Sequence, residues 1–560
     1  MKKLLIADQG ETACRIIRTA QRMGIATVAV QIDDSIHARL ADTVIRADLT
    51  ADAVLAAAQE CGADAIHPGA GPFATDADFA GKVRAAGLIF VGPSVEAIRA
   101  MRLKDTAKTR MKAVGIPVAP GYHGEDQGLA RLERMAELVG YPLVVKAVAG
   151  VDDSSQGVRA VHHKGEFAEA MLAAKREAQT AFGNDGVMLE KLIARSRHIE
   201  VQIFGDGHGN MLHLFEREVS VRHHHAKLVT ETPAPGLSER LRHILGIAAV
   251  TAGMAVEYSN AGTVEFVLDT EDLDEEGDPH FYFQEMRTRL QMDHAVTEAV
   301  TGLDLVEWQL RVARGEMLPL MQDAVECHGV AIMAQLRADI SGGAGVLQAF
   351  ELPDDVRVEH GLAAGDRVEG PLAGLVSHAA TREEAIDNLV QALDATIAEG
   401  VPTNRGFLAR LVNRPAFRTS DLHAGLTESE VETLLAPVAD ADWPVAVAAS
   451  LLARRSAPAT DCRGFTRPFR LNLPYVQHGA LYTQDGRAYR TAVAEDGSVR
   501  INGGDALNPD LRYSGDSAWM ATIDGEERRL AILERPDALE IRRGGASWRF
   551  LPRNPLWGPA

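Results

Sequence analysis

The stretch FYFQEMRTRLQMDHAVTE, from Phe281 to Glu298, decides the fold of this chain. It puts carboxylates, guanidinium groups, an amide and an imidazole on one short predicted strand and on the residues that follow it. Residues two apart on a strand share a face. The predicted shared face carries Phe281, Phe283, Glu285 and Arg287, with Arg289 beyond them. Such a row suits the binding of a polyanion, and the alternative is a salt-bridged surface strand.

A second apolar segment with a single carboxylate lies upstream of this stretch. Ala261 to Phe266 reads AGTVEF and contains Glu265. Two carboxylates on neighbouring strands can hold a magnesium ion with few protein ligands and leave room for substrate phosphates. We therefore predict a metal site at Glu265 and Glu285, for magnesium or manganese.

These two segments resemble the ATP-grasp biotin carboxylases, which carboxylate biotin in acyl-CoA carboxylases. The family pattern runs approximately E-M-N-T-R-x-Q-V-E-H-x-V-T-E, and this chain matches most of it. It departs at Arg287, where the family has Asn, at Met292, where it has Val, and at Asp293, where it has Glu. The resemblance implies an α/β ATP-grasp biotin carboxylase fold, with a parallel-sheet N-terminal domain, an ATP-grasp lid and a central domain.

The composition narrows the function classes. At 560 residues the chain is long enough for three or four compact units. A net charge of -20, with 58 Lys and Arg against 78 Asp and Glu, argues against nucleic-acid binding. No apolar run has the length of a signal peptide or a membrane span, so we expect no membrane partner. The cysteines, Cys14, Cys61, Cys327 and Cys462, lack metal-ligand spacing, which is typical of reduced thiols in a cytoplasmic protein.

The first part of the chain alternates strands and helices. Leu4 to Ala7 and Ala26 to Val30 are predicted buried strands, and the apolar residues between them recur at helical spacing. This unit predicts a parallel sheet with helices on its faces. IADQGETACRI and IHPGAG resemble the opening domain of the biotin carboxylases. The predicted domains are 1–112 (Rossmann-like N-terminal domain), 113–325 (ATP-grasp), 326–435 (biotin carboxylase C-terminal domain) and 455–560 (a β-barrel-like interaction domain).

Two basic strand ends mark the predicted nucleotide site. YPLVVK ends at Lys146 and VMLEK ends at Lys191. A lone strand lysine is usually a solvated end, but these segments follow the order found in the family. The resemblance implies that Lys104 and Lys146 hold ATP phosphates and that Glu190 and Lys191 line the adenine pocket.

Two further segments, RHIEVQ (197–202) and EREVSVRHHHAKLVTETPAP (216–235), extend the resemblance. Their family counterparts bind ribose, phosphate and bicarbonate, which implies such roles for His198, His225 and Lys227. Arg222 stands where the family has Gln. The run of three histidines is not predicted to bind a metal, because consecutive residues on a strand cannot face one ion.

The loop after Lys146 departs from the family. Biotin carboxylases have a run of glycines there, whose backbone N–H groups can close over the triphosphate. This chain has AGVDDSSQG from Ala149 to Gly157. Asp152 and Asp153 would repel a triphosphate unless a metal or an arginine intervened. We expect the lid to close differently, or no longer to close on ATP.

The family reaction activates bicarbonate with ATP as carboxyphosphate, and biotin then takes up the CO2. The predicted catalytic residues are Lys227, Arg289 and Asp293, with Asp293 as the base. Asp is one methylene shorter than Glu, so its carboxylate is expected to lie roughly 1.5 Å further back. Gln335 stands where the family has an arginine for the biotin enolate, which removes a positive charge. Arg287 is the candidate to restore that charge from another direction, or alternatively to displace a second metal ion.

The composition changes after about residue 440. Four of the five tryptophans lie there, Trp443, Trp519, Trp548 and Trp557, among short alternating segments with DGR, DGS and DGE turns. This pattern predicts a small antiparallel β-barrel or sandwich. GFTRPFRLNLP and GASWRFLPRNPL resemble the barrel that joins the biotin carboxylase part to the carboxyltransferase in methylcrotonyl-CoA and propionyl-CoA carboxylase α subunits. We therefore expect a carboxyltransferase-type β subunit as partner, in a homo- or hetero-oligomer.

No lysine follows Lys227 in the sequence. Biotin is attached through a lysine amine, so biotin is expected only as a substrate on a separate carrier protein. Three hypotheses follow. The chain is a biotin carboxylase subunit that uses ATP and magnesium, a degenerate scaffold that binds a carboxyltransferase, or an ATP-grasp ligase for a different acid.

Overall fold

The computed structural model describes residues 1–31, 35–149, 156–223, 226–338, 344–436, 442–455, 476–483, 486–515, 518–535 and 538–553. Several predicted features fall outside these ranges. They are Asp152 and Asp153 of the lid loop, His225, the segment GFTRPFRLNLP and Trp557.

A parallel sheet forms the N-terminal part, as predicted. Its strands are β1 (Lys3–Ile6), β2 (Ala26–Gln31), β3 (Thr43–Arg46), β4 (Ala65–His67) and β5 (Ile89–Phe90), and its helices are α1 (Gly10–Arg22), α2 (Ile36–Leu40), α3 (Ala51–Cys61), α4 (Ala77–Ala85) and α5 (Val95–Arg102). The strand order is β3-β2-β1-β4-β5, and every neighbouring pair is parallel. Helix α1 buries Ala13, Ile16 and Ile17, which confirms the helical spacing read from the sequence.

A small antiparallel sheet follows and forms one wall of the site. Its elements are α6 (Lys104–Ala113), β6 (Gly121–Tyr122), α7 (Leu129–Val139), β7 (Leu143–Ala147), β8 (Val158–Val161), α8 (Phe167–Phe182) and β9 (Val187–Lys191). The strand order is β6-β9-β7-β8, so the two predicted basic strands, β7 and β9, are direct neighbours. Their register pairs Val144 with Glu190 and Lys146 with Met188.

An eight-stranded sheet occupies the middle of the chain, in the order β16-β15-β10-β11-β14-β17-β22-β20. Its first part contains β10 (Ser196–Gly205), β11 (Met211–Glu218), β12 (Arg222–His223), β13 (Ala226–Lys227), β14 (Val229–Thr232), α9 (Glu239–Met254), β15 (Asn260–Leu273), β16 (Pro279–Arg287), α10 (His294–Thr301), α11 (Leu305–Ala313) and β17 (Val330–Arg337). Strands β12 and β13 pair separately as a short hairpin.

The same sheet continues into the next part of the chain. The elements there are β18 (Ala344–Val346), β19 (Ala349–Glu351), β20 (Arg357–His360), β21 (Arg367–Glu369), β22 (Pro371–Ala379), α12 (Arg382–Ala395), β23 (Ile397–Glu399), α13 (Arg405–Val412), α14 (Pro415–Arg418) and α15 (Leu426–Leu435). Strand β14 pairs with β17, and β17 pairs with β22. One sheet therefore crosses the predicted boundary between 325 and 326.

A β-bulge in β16 makes one sequence prediction wrong. Phe283 pairs with Phe266 and Glu285 pairs with Glu265, so two residues of β16 face one residue of β15 at this point. The extra residue shifts the alternation by one. Phe283 is fully buried in the core, whereas Glu285 faces a cavity. The two aromatic residues and Glu285 therefore do not share a face.

The C-terminal domain is an antiparallel sheet curled around a helix. Its elements are α16 (Asp442–Arg455), β24 (Val476–Thr483), β25 (Ala488–Ala494), β26 (Val499–Ile501), β27 (Ala506–Leu507), β28 (Pro509–Gly515), β29 (Ala518–Ile523), β30 (Glu526–Glu534), β31 (Leu539–Arg543) and β32 (Ala546–Arg553). The nine strands run in the order β27-β26-β25-β24-β32-β31-β30-β29-β28. Helix α16 contacts β26 near one end of this order and β28 at the other, so the sheet wraps around it.

A buried carboxylate joins this domain to the rest of the chain. Asp394, at the end of α12, accepts hydrogen bonds from the backbone N–H groups of Gly544 (2.6 Å) and Gly545 (3.0 Å), in the turn between β31 and β32. A Cβ atom at Gly545 would lie 2.3 Å from the carbonyl oxygen of Gly406, so the turn requires glycine there. The domain is docked by a close backbone contact.

None of the helices in the described part of the chain is long and apolar enough to cross a membrane. Cys14, Cys61 and Cys327 are free thiols.

Candidate functional site

A cavity of about 360 Å³ lies between the small antiparallel sheet and the eight-stranded sheet. Seven of the predicted ligand-binding residues line it: Lys104, Lys146, Glu190, Lys191, His198, Glu265 and Glu285. They come from α6, β7, β9, β10, β15 and β16, which are separated by up to 181 residues in sequence between Lys104 and Glu285. The fold therefore gathers the predicted nucleotide and metal residues into one place.

Glu190 organises the lysines on one side of the cavity. Its carboxylate is 2% exposed, accepts from Lys146 Nζ at 2.7 Å and forms an ion pair with Lys108. His123 Nε2 lies 3.2 Å from the same carboxylate. Burial raises the pKa of Glu190, but the charges of Lys108 and Lys146 outweigh it and hold the pKa well below its usual range. Glu190 is a permanent anion that positions two ammonium groups.

Lys108 was missed by the sequence interpretation. It is 1% exposed, and burial lowers the pKa of its ammonium group despite the opposing charge of Glu190. The sequence signal that could have identified Lys108 was its spacing from Lys104. Lys108 lies four residues after Lys104 on α6, so the two side chains occupy the same helix face.

Glu265 and Glu285 lie directly opposite each other on β15 and β16. The Arg287 guanidinium lies between the two carboxylates. Its Nη2 atom is 2.9 Å from Glu285 Oε1 and 3.4 Å from Glu265 Oε2. Arg222 Nη2 lies 2.8 Å from Glu265 Oε1. The predicted carboxylate pair is present, and two arginines neutralise it.

His198 also contacts this pair. Its Nδ1 atom lies 2.7 Å from Glu265 Oε1. Burial and the charge of Arg222 lower the pKa of His198, so its ring is neutral near pH 7. Burial raises the pKa of Glu265, yet Arg222, His198 and Arg287 hold it well below its usual range. An ionised carboxylate can only accept, so Nδ1 of His198 carries the proton that it donates.

The fit of magnesium to the carboxylate pair depends on Arg287. Magnesium binds carboxylate oxygens at about 2.0–2.1 Å and keeps an octahedral shell. The space between the two carboxylates holds the Arg287 guanidinium, so an ion that bridges Glu265 and Glu285 does not fit this arrangement. Within the described ranges no group of three His, Cys, Asp or Glu side chains is placed to hold a metal.

A second charged cluster surrounds Lys227. Its ammonium group donates to Glu200 Oε1 at 2.7 Å and forms an ion pair with Asp293. Thr230 Oγ1 donates to Asp293 Oδ1 at 3.0 Å. Burial raises the pKa of Asp293, but the charges of Lys227 and Arg217 lower it to about 2. The predicted base is a bound counter-ion of the predicted catalytic lysine.

Arg289 extends toward the N-terminal domain. Its Nη1 atom donates to the carbonyl oxygen of Ala70 at 2.6 Å. Ala70 lines another cavity, of about 320 Å³, which also includes Asp8, Glu11 and Thr12. The Thr12 hydroxyl lies 3.1 Å from the sulfur of Met292. This cavity therefore lies beside the segment that carries Arg289 and Asp293.

Three family models match the chain in consecutive segments. They are the biotin carboxylase N-terminal domain (residues 1–98), the carbamoyl-phosphate synthase L chain ATP-binding domain (residues 104–321) and the biotin carboxylase C-terminal domain (residues 334–429). A biotin carboxylase from Halalkalibacterium halodurans is 39% identical over 444 residues, which cover 75% of this chain and 96% of the relative. The chain belongs to the biotin carboxylase family.

Other members of the family show where the resemblance extends. The methylcrotonoyl-CoA carboxylase α subunit of Glycine max is 44% identical over 456 residues, which cover 78% of this chain and 61% of the relative. The chain thus spans less than two thirds of the length of that subunit. The solved biotin carboxylase domain dimer of Hydrogenobacter thermophilus 2-oxoglutarate carboxylase, in complex with MgADP, ADP and bicarbonate, matches with a TM-score of 0.74 and 32% identity. That match covers 78% of this chain and 99% of the domain.

Membership of the biotin carboxylase family confirms the recognised fold, and the departure at Gln335 stays a prediction. The backbone N–H of Gln335 donates to Leu228 O at 2.9 Å, next to the Lys227 cluster. Arg337 lies two residues further along β17, on the same face. Its charge lowers the pKa of Glu11 in the 320 Å³ cavity, against the larger effect of burial. Arg337 is a second cation that the sequence interpretation missed, although the spacing in QLR could have indicated it.

Proposed function

We propose that this chain uses ATP to carboxylate biotin that is carried by a separate polypeptide. The observation that supports this most directly is the 360 Å³ cavity, where seven predicted nucleotide and metal residues meet. The Lys227 cluster lies on the same eight-stranded sheet, because Lys227 contacts Glu200 of β10 and Asp293 contacts Thr230 of β14. A nucleotide site and an acid-binding site on one sheet suit a ligase that activates a small acid.

ATP fits the charges of the cavity. Lys146 is held by Glu190 at 2.7 Å, and Lys104 lies on the same cavity wall. In this arrangement the two ammonium groups meet the phosphates, while Glu190 stays ionised and keeps Lys146 in place. Magnesium, which accompanies the nucleotide in the solved Hydrogenobacter thermophilus domain, would here be held chiefly by the phosphates of the nucleotide and would neutralise part of their charge.

We propose that bicarbonate binds at Lys227. The Lys227 ammonium group can bind the anion, while Glu200 and Asp293 hold it in one orientation. A general base works best when its pKa is near the working pH. Because the pKa of Asp293 is lowered to about 2, its carboxylate orients Lys227 and is a weak base as long as the ion pair persists.

We propose that biotin binds in the 320 Å³ cavity between the N-terminal domain and the segment that contains Gly361 and Leu372. Arg289 borders this cavity through Ala70, and Arg337 reaches Glu11 electrostatically. These two cations can oppose the negative charge of a biotin enolate in place of the missing arginine at Gln335.

The test is the turnover of the purified chain with free biotin and bicarbonate, measured as ADP release. We expect turnover that requires both substrates and that falls at least a hundredfold in Lys227→Met, because bicarbonate loses its cation. Lys82→Met, which removes a surface lysine paired with Asp52, is the matched control and should retain full turnover. Nucleotide binding without any biotin-dependent turnover would favour the scaffold hypothesis.

We further propose a carboxyltransferase-type β subunit and a biotin carrier protein as partners, in a cytoplasmic oligomer. The curled C-terminal sheet offers the surface for the β subunit. Tyr513 on its end strand β28 is 61% exposed and stacks edge-on against Trp519, with ring centroids 5.3 Å apart. Tyr513→Arg should reduce co-purification with such a subunit, and the neighbouring exposed change Arg512→Ala should not. Equal recovery of both variants would remove this surface from the proposal.

A further inference from the structure

We propose that Arg287 is a built-in cation of the carboxylate pair, so that no divalent ion bridges Glu265 and Glu285 and the nucleotide is bound largely by the chain's own positive charges. This inference rests on the proposed nucleotide site and concerns how that site handles metal. Its expected consequence is nucleotide binding that depends little on a divalent ion.

The Arg287 guanidinium occupies the space that a bridging ion would need. One atom, Arg287 Nη2, lies 2.9 Å from Glu285 and 3.4 Å from Glu265. A magnesium ion that bridged these carboxylates would sit about 2 Å from an oxygen of each. That position overlaps the guanidinium group, so the ion and Arg287 exclude each other.

The surroundings of Arg287 hold its side chain in place. Arg287 is 4% exposed, and its backbone pairs with Thr263 at the end of the β15–β16 ladder. Its Nε atom lies 3.9 Å from a third carboxylate, that of Glu200. A buried guanidinium would lose all three carboxylate partners by moving away, so it stays between them.

The charges around the two carboxylates also oppose a divalent ion. Arg222 adds a second guanidinium 2.8 Å from Glu265, so the two carboxylates face two arginines. Among the described residues, five cationic side chains line this cavity, against four carboxylates. The cations are Lys104, Lys146, Lys191, Arg222 and Arg287, and the anions are Glu190, Glu265, Glu285 and Glu428. A lining with excess positive charge attracts phosphate directly and repels a free divalent ion.

The experiment measures manganese binding to the nucleotide-free chain by electron paramagnetic resonance. We expect the wild type to bind no manganese at this pair at millimolar concentration. Arg287→Asn should bind it at least tenfold more tightly, because the variant frees the space and removes one repelling charge. Arg287→Lys keeps the charge and should behave like the wild type. Arg414→Asn, which removes an arginine from the single carboxylate Glu430, is the matched control. Manganese binding by the wild type as tight as that of Arg287→Asn overturns the inference.

A second measurement is ADP binding by calorimetry, with EDTA or with magnesium. We expect the affinity of the wild type to change less than threefold between the two conditions, and that of Arg287→Asn to fall at least tenfold in EDTA. A wild type that loses ADP tenfold or more in EDTA overturns the inference, and this comparison stands even if the variant does not fold. No ADP binding under either condition overturns the proposed function, while the manganese titration still decides what occupies the carboxylate pair.

Discussion

Replacing Glu190 by glutamine is expected to loosen the contact between α6 and β9 far more than replacing its partner Lys108 by methionine. The reason is an asymmetry in what each change leaves behind. Lys108→Met leaves Glu190 with Lys146 at 2.7 Å and His123 at 3.2 Å. Glu190→Gln leaves the Lys108 ammonium group, which is 1% exposed, without its carboxylate.

The size of the effect follows from the chemistry of Lys108. An unpaired buried ammonium group costs several kcal/mol, and the group can escape this cost by losing its proton. Removing a proton from lysine at pH 7 costs about 4–5 kcal/mol, since the ordinary pKa lies more than three units higher. We therefore expect Glu190→Gln to cost about 4 kcal/mol locally at pH 7, against about 1–2 kcal/mol for Lys108→Met, which loses a charge-assisted hydrogen bond.

The sign of the pH dependence gives the sharper test. In Glu190→Gln the folded state holds Lys108 neutral while the unfolded state binds a proton, so stability rises with pH. The cost should fall by about 1.4 kcal/mol per unit as the pH is raised toward 9. Lys108→Met has no ammonium group at this position and should show no such recovery.

Hydrogen exchange measures these local energies. Protection factors correct for the direct effect of pH on exchange. For the peptides that cover α6 and β9, they should fall about a thousandfold in Glu190→Gln at pH 7. They should recover by at least tenfold at pH 9. Equal losses in the two variants, or a Glu190→Gln loss that ignores pH, would show that Lys108 does not depend on Glu190 for its charge.

Two further predictions concern the contact between domains and the N-terminal cavity. Asp394→Ala removes the acceptor of the Gly544 and Gly545 amides and should cost about 3 kcal/mol of stability. The loss should be seen as faster proteolysis of the β31–β32 hairpin. Asp387→Ala on the same helix is the control and should not change this proteolysis. Burial raises the pKa of Glu11 to about 7, so the folded state resists ionising this carboxyl group. The protonated group contributes stability that is fully present below the ordinary carboxyl pKa and is lost as the pH rises through 7. Glu11→Gln should therefore increase the free energy of unfolding at pH 8 by up to about 3 kcal/mol, seen as a higher melting temperature. At pH 5 the melting temperature should be nearly unchanged. An equal gain at both pH values would contradict the raised pKa.

The sequence was sufficient to predict the architecture and the group of residues at the site. Local apolar spacing predicted β1, α1 and β2, and the matching segments placed Glu265 and Glu285 on neighbouring strands. The roles of the predicted residues remain predictions, since the structure gives their positions and contacts.

The misses have a common physical cause, which is contact between distant parts of the chain. Lys108 meets a carboxylate 82 residues away, and Asp293 meets a lysine 66 residues away, so neither charge state could be read locally. The bulge in β16 depends on how its neighbour β15 pairs. A local signal existed there, because the apolar positions Phe281, Phe283 and Met286 change phase by one residue.

The sheet that runs from β16 to β20 has a consequence for how this protein can be recombined. Strand β17 lies between β14 and β22, so a cut near 326 would leave an unpaired edge on both fragments. Chimeras with other family members joined at that point would have to pair β14 of one protein with β17 of the other. Joints between 436 and 442, which keep β10 to β22 in one piece and α16 with its own sheet, should give soluble hybrids. The segment that can be exchanged as one unit is therefore larger than the segments that the family models outline.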